Sequence, residues 1–240
     1  MIVAQFINVL YNVVDRIYIG RLPEVASLAM SGLGLCLPLI SIIIAFANLF
    51  GMGGSPLCSI ARGSGNNDLA EEIMGNAFSL LIICSILIML VGFIFKEPLL
   101  WAFGASENTI EYGVRYMSIY ALGTLFVEVT LGMNSFITAQ GFAKTGMLSV
   151  LIGAVANIIL DPIFIFVFHM GVKGAALATI LSQLAGAIWV LRFMTSKKTS
   201  LRLKCVCLRP DFPQIGAILS LGMAPFIMQS TESLISIVMS

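Results

Sequence analysis

Charge is what this chain has least of. Asp, Glu, Lys and Arg make up 10% of its 240 residues, against about a quarter in an ordinary soluble domain. Hydrophobic residues make up 59%, and the mean hydropathy is +1.02. A soluble domain of this length has nowhere to hide so much apolar surface, because something polar must meet water. A soluble enzyme, a nucleic-acid binder and a disordered chain are therefore excluded. Thirteen basic residues against twelve acidic ones leave a net charge of +1, which gives no pull toward an acidic partner. Histidine is nearly absent, with one in the chain. His169 lies at the end of an apolar run and reads as an interfacial side chain, so no Ser-His or metal-hydrolase constellation exists and the chain is not an enzyme. Of the five cysteines, Cys36, Cys58 and Cys84 lie in apolar runs. Cys205 and Cys207 lie in a basic segment, too close together for a zinc knuckle. All five read as free thiols.

What the chain has is long apolar runs. A membrane-spanning helix needs about 20 such residues, and seven segments supply them: Ile2–Gly20, Ser27–Met52, Ile73–Phe95, Tyr112–Asn134, Met147–Phe168, Gly174–Met194 and Gln214 to Ser240. The runs are continuous, which excludes the ten-residue alternation of a β-barrel. The first is no signal peptide, since it lacks a basic start and carries Gln5, Asn8 and Asn12. Short turns separate most spans: Leu22-Pro23, Gly63 to Asn67, Lys96-Glu97-Pro98, Gln140 to Lys144, and Gly171 to Lys173. The exception is the long basic stretch from Thr195 to Pro213. The positive-inside rule puts it in the cytoplasm, and alternation puts the loops at 60–72 and 140–146 there too. The expected organisation is a six-span lobe over 1–194, a basic cytoplasmic loop over 195–213, and one further span over 214–240, part of a longer protein.

Some polar residues sit where the bilayer penalises them. An ionised side chain at mid-bilayer costs at least about 2.5–3.5 kcal/mol, so Asp15, Glu128, Asp161 and Glu232 each need a partner, water or a proton. In the first span Gln5, Asn8, Asn12 and Asp15 recur along one helical face. In the fifth, Ser149, Gly153, Asn157 and Asp161 recur at steps of four, and Pro162 deprives the Ile158 carbonyl of its usual donor. A carboxylate beside a free carbonyl suits a proton or a hard cation. Thr124, Glu128, Gly132 and Ser135 share a face of the fourth span less cleanly. The competing reading is that such stripes only join helices, at about 0.6 kcal/mol per hydrogen bond; two stripes that each end in an acid favour a solvated or ion-binding cavity. In the sixth span Gly174, Ala178, Ser182 and Gly186 form a small-residue stripe for close packing. The glycine-rich Gly51 to Pro56 has no strand before it and no Lys-Ser/Thr after it, so it reads as the loosened inner end of the second span rather than a phosphate loop.

Several segments together resemble the multidrug and toxic compound extrusion (MATE) family. They are Asn12-Val13-Val14-Asp15-Arg16-Ile17-Tyr18-Ile19-Gly20, the stretch Gly51 to Asn67, Asn134 to Gly141, and above all Asn157-Ile158-Ile159-Leu160-Asp161-Pro162 followed by Gly171-Val172-Lys173-Gly174-Ala175-Ala176-Leu177-Ala178-Thr179. Pro225 and Glu232 are similar, less specifically, to the opening of the family's second lobe. The resemblance implies an all-α integral membrane protein. Two six-helix lobes would face a central cavity, with this chain supplying the first lobe and the first helix of the second.

It also implies cation-coupled antiport, with H⁺ or Na⁺ exchanged for small organic, often cationic, drug-like solutes across the plasma (inner) membrane. No cofactor and no nucleic acid are involved. Matched position by position, the family's cation site falls on Asp15, Asn157, Asp161 and Thr179; the first three also stand out from the residue pattern alone. Gln5, Asn8, Asn12, Glu128 and Glu232 are the further candidates to line a polar cavity. Two other readings compete. A lipid-linked oligosaccharide flippase of the same superfamily would want basic residues facing the cavity, and the spans offer only Arg16 and Arg115 near their outer ends. A non-transporting scaffold would tolerate neutral residues in place of the buried acids.

Overall fold

The computed structural model describes residues 13–14, 17–20, 26–204 and 210–239, with side chains in the last helix as far as Thr231. Among the described residues seven α-helices are delimited from Ala26 onward: α1 (Ala26–Gly34), α2 (Leu37–Gly63), α3 (Asn67–Ala102), α4 (Ile110–Ala139), α5 (Ala143–Pro162), α6 (Val172–Met194) and α7 (Phe212–Met239). No strand occurs among the described residues. α1 and α2 run together as one span, and α5 continues through a π-helical turn at Ile163–Val167. Among the described residues six segments are thus long and apolar enough to cross a membrane. They correspond to the second through seventh predicted spans; most of the first lies outside the described residues.

Local chemistry explains the ends. Pro38 opens α2 where a missing N–H costs nothing. Asn66 caps α3 by accepting the Leu69 N–H at 3.1 Å, with Asp68 in the first turn to meet the helix dipole. The α2–α3 turn needs a left-handed residue, which Gly65 supplies at φ +82°.

α4 is the central helix, packed against α2, α3 and α6 and more lightly against α1 and α5. Its hydropathy is the lowest of the spans before α7, as expected of a helix that meets protein rather than lipid. α3 is the opposite. Ile83, Ile86, Leu87, Leu90, Val91 and Ile94 are all exposed, an apolar face suited to acyl chains. The core falls into a first cluster, which includes Phe50, Met74, Leu81, Met133 and Met194, and a second one, which includes Ile19, Ile43, Leu100, Tyr120 and Ile165.

Two expectations fail. Lys96-Glu97-Pro98 is no turn: α3 runs through it to Ala102, and the chain turns at Gly104. Pro98 lies one turn from the helix end, and the one backbone bond it cannot donate is that to the Ile94 carbonyl. Lys96 lies over the Phe93 ring at 4.4 Å and donates to Ser118 Oγ of α4 at 2.8 Å, so the segment is satisfied as helix. Nor is Gly51 to Pro56 loosened. α2 continues to Gly63, and Gly51, Gly53 and Gly54 are buried at helix crossings. A Cβ on Gly51 would lie 2.7 Å from the Gly132 carbonyl of α4, and one on Gly54 would lie 2.6 Å from the Phe136 ring. One on Gly53 would run into the Ile218 carbonyl of α7. The glycines serve packing that a single sequence does not display.

The basic connection is tied down over its first half. Gln140, 4% exposed at the end of α4, accepts the Thr199 hydroxyl at 2.7 Å and the Leu201 N–H at 3.0 Å on one amide oxygen. Its own carbonyl accepts from the Arg62 guanidinium at 2.8 Å. Glu71 of α3 accepts the Arg202 N–H at 3.0 Å and pairs with Lys204. Asn76 accepts the Asp211 N–H at 2.8 Å just before α7. An irregular segment against a helix bundle must find acceptors for its amides, and three polar side chains on α3 and α4 provide them.

Candidate cation-coupling site

The fifth span carries the site. Ser149, Asn157 and Asp161 are all buried along one face of α5, as steps of four predict. The Asn157 Nδ2 donates to Asp161 Oδ1 at 3.2 Å. The Asn157 Oδ1 has no hydrogen-bond partner among the described residues, so an acceptor lies next to a carboxyl in a fully buried place. The break expected at Pro162 is a π-helical turn. The Ile163 N–H bonds back to Leu160, and the Phe168 N–H reaches the Ile163 carbonyl at 2.9 Å. Pro162 itself has no N–H to give the Ile158 carbonyl. Such turns loosen the backbone beside functional groups in many helices. Chemically the place offers a carboxyl, an amide oxygen and a disturbed backbone, which can hold a proton or a small hard cation but has no soft ligand for zinc or copper.

α6 covers this face through its small residues. Gly174, Ala178, Ser182 and Gly186 are all buried, and a Cβ on Gly174 would lie 2.8 Å from the Phe164 backbone of the π turn. Thr179 is partly buried on α6, but its hydroxyl donates to the Ala175 carbonyl at 3.0 Å in its own helix. Asn157 and Asp161 are therefore brought together, while Thr179 makes no hydrogen bond to either. Asp15, Gln5, Asn8 and Asn12 lie outside the described residues, as does the side chain of Glu232.

Glu128 is 0% exposed on α4, and neither carboxyl oxygen has a hydrogen-bond partner among the described residues; the Thr124 hydroxyl one turn away is equally buried and likewise unpartnered among them. His169 lies just beyond the π-helical turn, with Tyr112, Arg115 and Lys173 around a cavity of about 290 Å³. Sequence reasoning missed the groove of about 410 Å³ between the C-terminal halves of α2 and α4, where Ser55, Ser59, Asn134, Ser135 and Thr138 meet Met52 and Pro56. The signal was available in the i, i+4 pairs Ser55/Ser59 and Asn134/Thr138, one pair on each helix.

The family model described as MatE matches residues 1–163. The chain belongs to the MatE family. Its relatives include the multidrug export protein MepA of Staphylococcus haemolyticus, 29% identical over 95% of this chain and 50% of the relative. MepA of Staphylococcus aureus strain MRSA252 is 27% identical over the same shares. Among solved structures, an inward-facing multidrug resistance MATE transporter of the MOP superfamily aligns with TM-score 0.89 at 25% identity, over 95% of this chain and 51% of that one. An outward-facing structure aligns with TM-score 0.88 at 25% identity, over 95% and 50%. The chain spans about half the length of the curated relatives it matches. The fold is accordingly an all-helical MATE lobe followed by a further membrane helix, and this MatE chain is a multi-pass membrane protein of a multidrug-efflux transporter family.

Proposed function

We propose that this chain supplies the first half of a secondary transporter that exports organic, often cationic, solutes across the plasma membrane in exchange for H⁺ or Na⁺. The observation that carries the reading is the Asn157–Asp161 pair, fully buried and hydrogen-bonded beside a π-helical turn. Asp161, with Asp15 of the first span and with Thr179, is the coupling site. Loading with a proton or Na⁺ neutralises the acids and lets the first span repack; release restores the charge and reopens the solute site. One charge crossing 100 mV yields about 2.3 kcal/mol, enough to hold roughly a fifty-fold solute gradient. The close likeness to both inward-facing and outward-facing structures supports rocking of a lobe that keeps its internal packing.

Arg115 is half-exposed and paired with Glu111, which favours solute export over a flippase that must grip pyrophosphate. Everted vesicles carrying the complete transporter should concentrate a fluorescent cationic dye when a proton or sodium gradient is imposed, and lose it when the matching ionophore is added. Dye movement indifferent to both gradients would refute the antiport. The basic loop belongs in the cytoplasm: in a background with Cys205 as the sole cysteine, an impermeant maleimide should label it only after lysis. Prompt labelling of intact cells would invert the topology.

A further inference from the structure

Glu128 lies where the two apolar clusters of the lobe meet, since Val127 packs in the second one and Val129 in the first. It is completely buried, and among the described residues both carboxyl oxygens lack a hydrogen-bond partner, as does the Thr124 hydroxyl on the same face. An ionised carboxylate so placed would forfeit several kcal/mol of hydration with nothing in return. Among the described residues no cation stands near it to repay that loss. α1 has no charged residue, α2 has none before Arg62, and α6 has none between Lys173 and Arg192. The Cys58 thiol of α2 is engaged with the Ala70 carbonyl at 3.5 Å. α3 presents the Cys84 thiol within electrostatic reach of Glu128. Its charged residues Asp68, Glu71, Glu72, Lys96 and Glu97 are confined to the two ends of the helix. α5 contributes Asp161, which already accepts from Asn157. The Cys36 thiol between α1 and α2 bonds to Gly113 and Gly32 carbonyls. A metal-like cation is also poorly served, because the two carboxyl oxygens and one hydroxyl fall well short of the six or so oxygens that hard cations gather.

We propose that Glu128 is a second proton-binding carboxyl of the lobe, distinct from the Asn157–Asp161 pair, which holds H⁺ while α2, α3 and α4 pack as they do here and passes it to water when the packing opens. The site does not depend on whether Asp161 couples transport. Dicyclohexylcarbodiimide reacts with protonated carboxyls inside membranes, and its adducts are mapped by peptide mass spectrometry. In liposomes carrying the complete protein, the peptide with Glu128 should be modified at mildly acidic pH. The yield should fall about tenfold per pH unit above its midpoint. Glu128→Gln should abolish that adduct, and Asp161→Asn should leave its pH profile unchanged. Infrared difference spectra of wild type against Glu128→Gln should show a protonated-carboxyl C=O band that disappears over the same pH range, which covers the case of a reagent that cannot reach the site. Absence of that band, a pH-independent band and adduct, protection by Na⁺ at constant pH, or a profile that shifts with Asp161→Asn would each overturn the proposal.

Discussion

Asp161→Asn in the complete transporter is expected to abolish gradient-driven efflux while leaving expression and unfolding temperature close to wild type. The substitution keeps the shape of the side chain, and its amide oxygen can still accept the Asn157 Nδ2 now 3.2 Å from Asp161 Oδ1. What it removes is the ability to change charge. A neutral amide is easier to bury than a carboxylate, and Asp161 is 0% exposed, so the folded state should not suffer. The variant would then be fixed in the loaded form, with solute movement running only downhill. Asp15→Asn is expected to behave alike. The measurement is dye efflux from energised vesicles at matched expression. Full uphill transport by Asp161→Asn would remove Asp161 from the mechanism and leave its stripe as helix glue, worth about 0.6 kcal/mol per hydrogen bond.

The spans and the buried pair were legible because each is written locally. A continuous apolar run reports its surroundings without knowing its neighbours, and Asn157 and Asp161 stand one turn apart on any helix. The small-residue stripe on α6 was legible for the same reason, and a Cβ on Gly186 would indeed lie 3.1 Å from Thr130 of α4. What stayed hidden depends on partners far away in sequence. Gln140 reads as one turn residue among several, yet it collects Thr199 and Leu201 from some sixty residues downstream. Glu71 falls in the stretch 60–72 that reads only as a loop, yet it is 8% exposed and holds Arg202 and Lys204. Pro98 carries a turn signal that the Lys96–Ser118 bond outweighs. Thr179 entered by resemblance, and its hydroxyl is engaged within α6. Nothing in the spacing of Thr124 and Glu128 reveals that both are unpartnered; that follows from the apolar residues packed around α4.

Gly222→Val is expected to detach α7 from α2 and to lower stability by about 3 kcal/mol, the upper end of what overpacking costs. α7 packs chiefly on α2, and the two backbones meet at Gly53 and Gly222. A Cβ on Gly222 would run into the Leu49 carbonyl, and one on Gly53 into the Ile218 carbonyl with Gly222 close behind. Backbone lies on both sides of the crossing, so no side chain can swing away to make room. Gly216 sits nearly two turns earlier on the same helix with open space around its Cβ position. Gly216→Ala should therefore raise stability, by up to about 1 kcal/mol from helix propensity alone. The pair separates the crossing from any general intolerance of α7 to substitution. If α7 opens a second lobe that rocks against the first, the crossing is also where the lobes are hinged, and Gly222→Val should lose transport as well as stability. Thermal unfolding in detergent and dye efflux at matched expression provide the two readings. Equal unfolding temperatures for Gly222→Val and Gly216→Ala would mean that α2 and α7 do not meet at this seam.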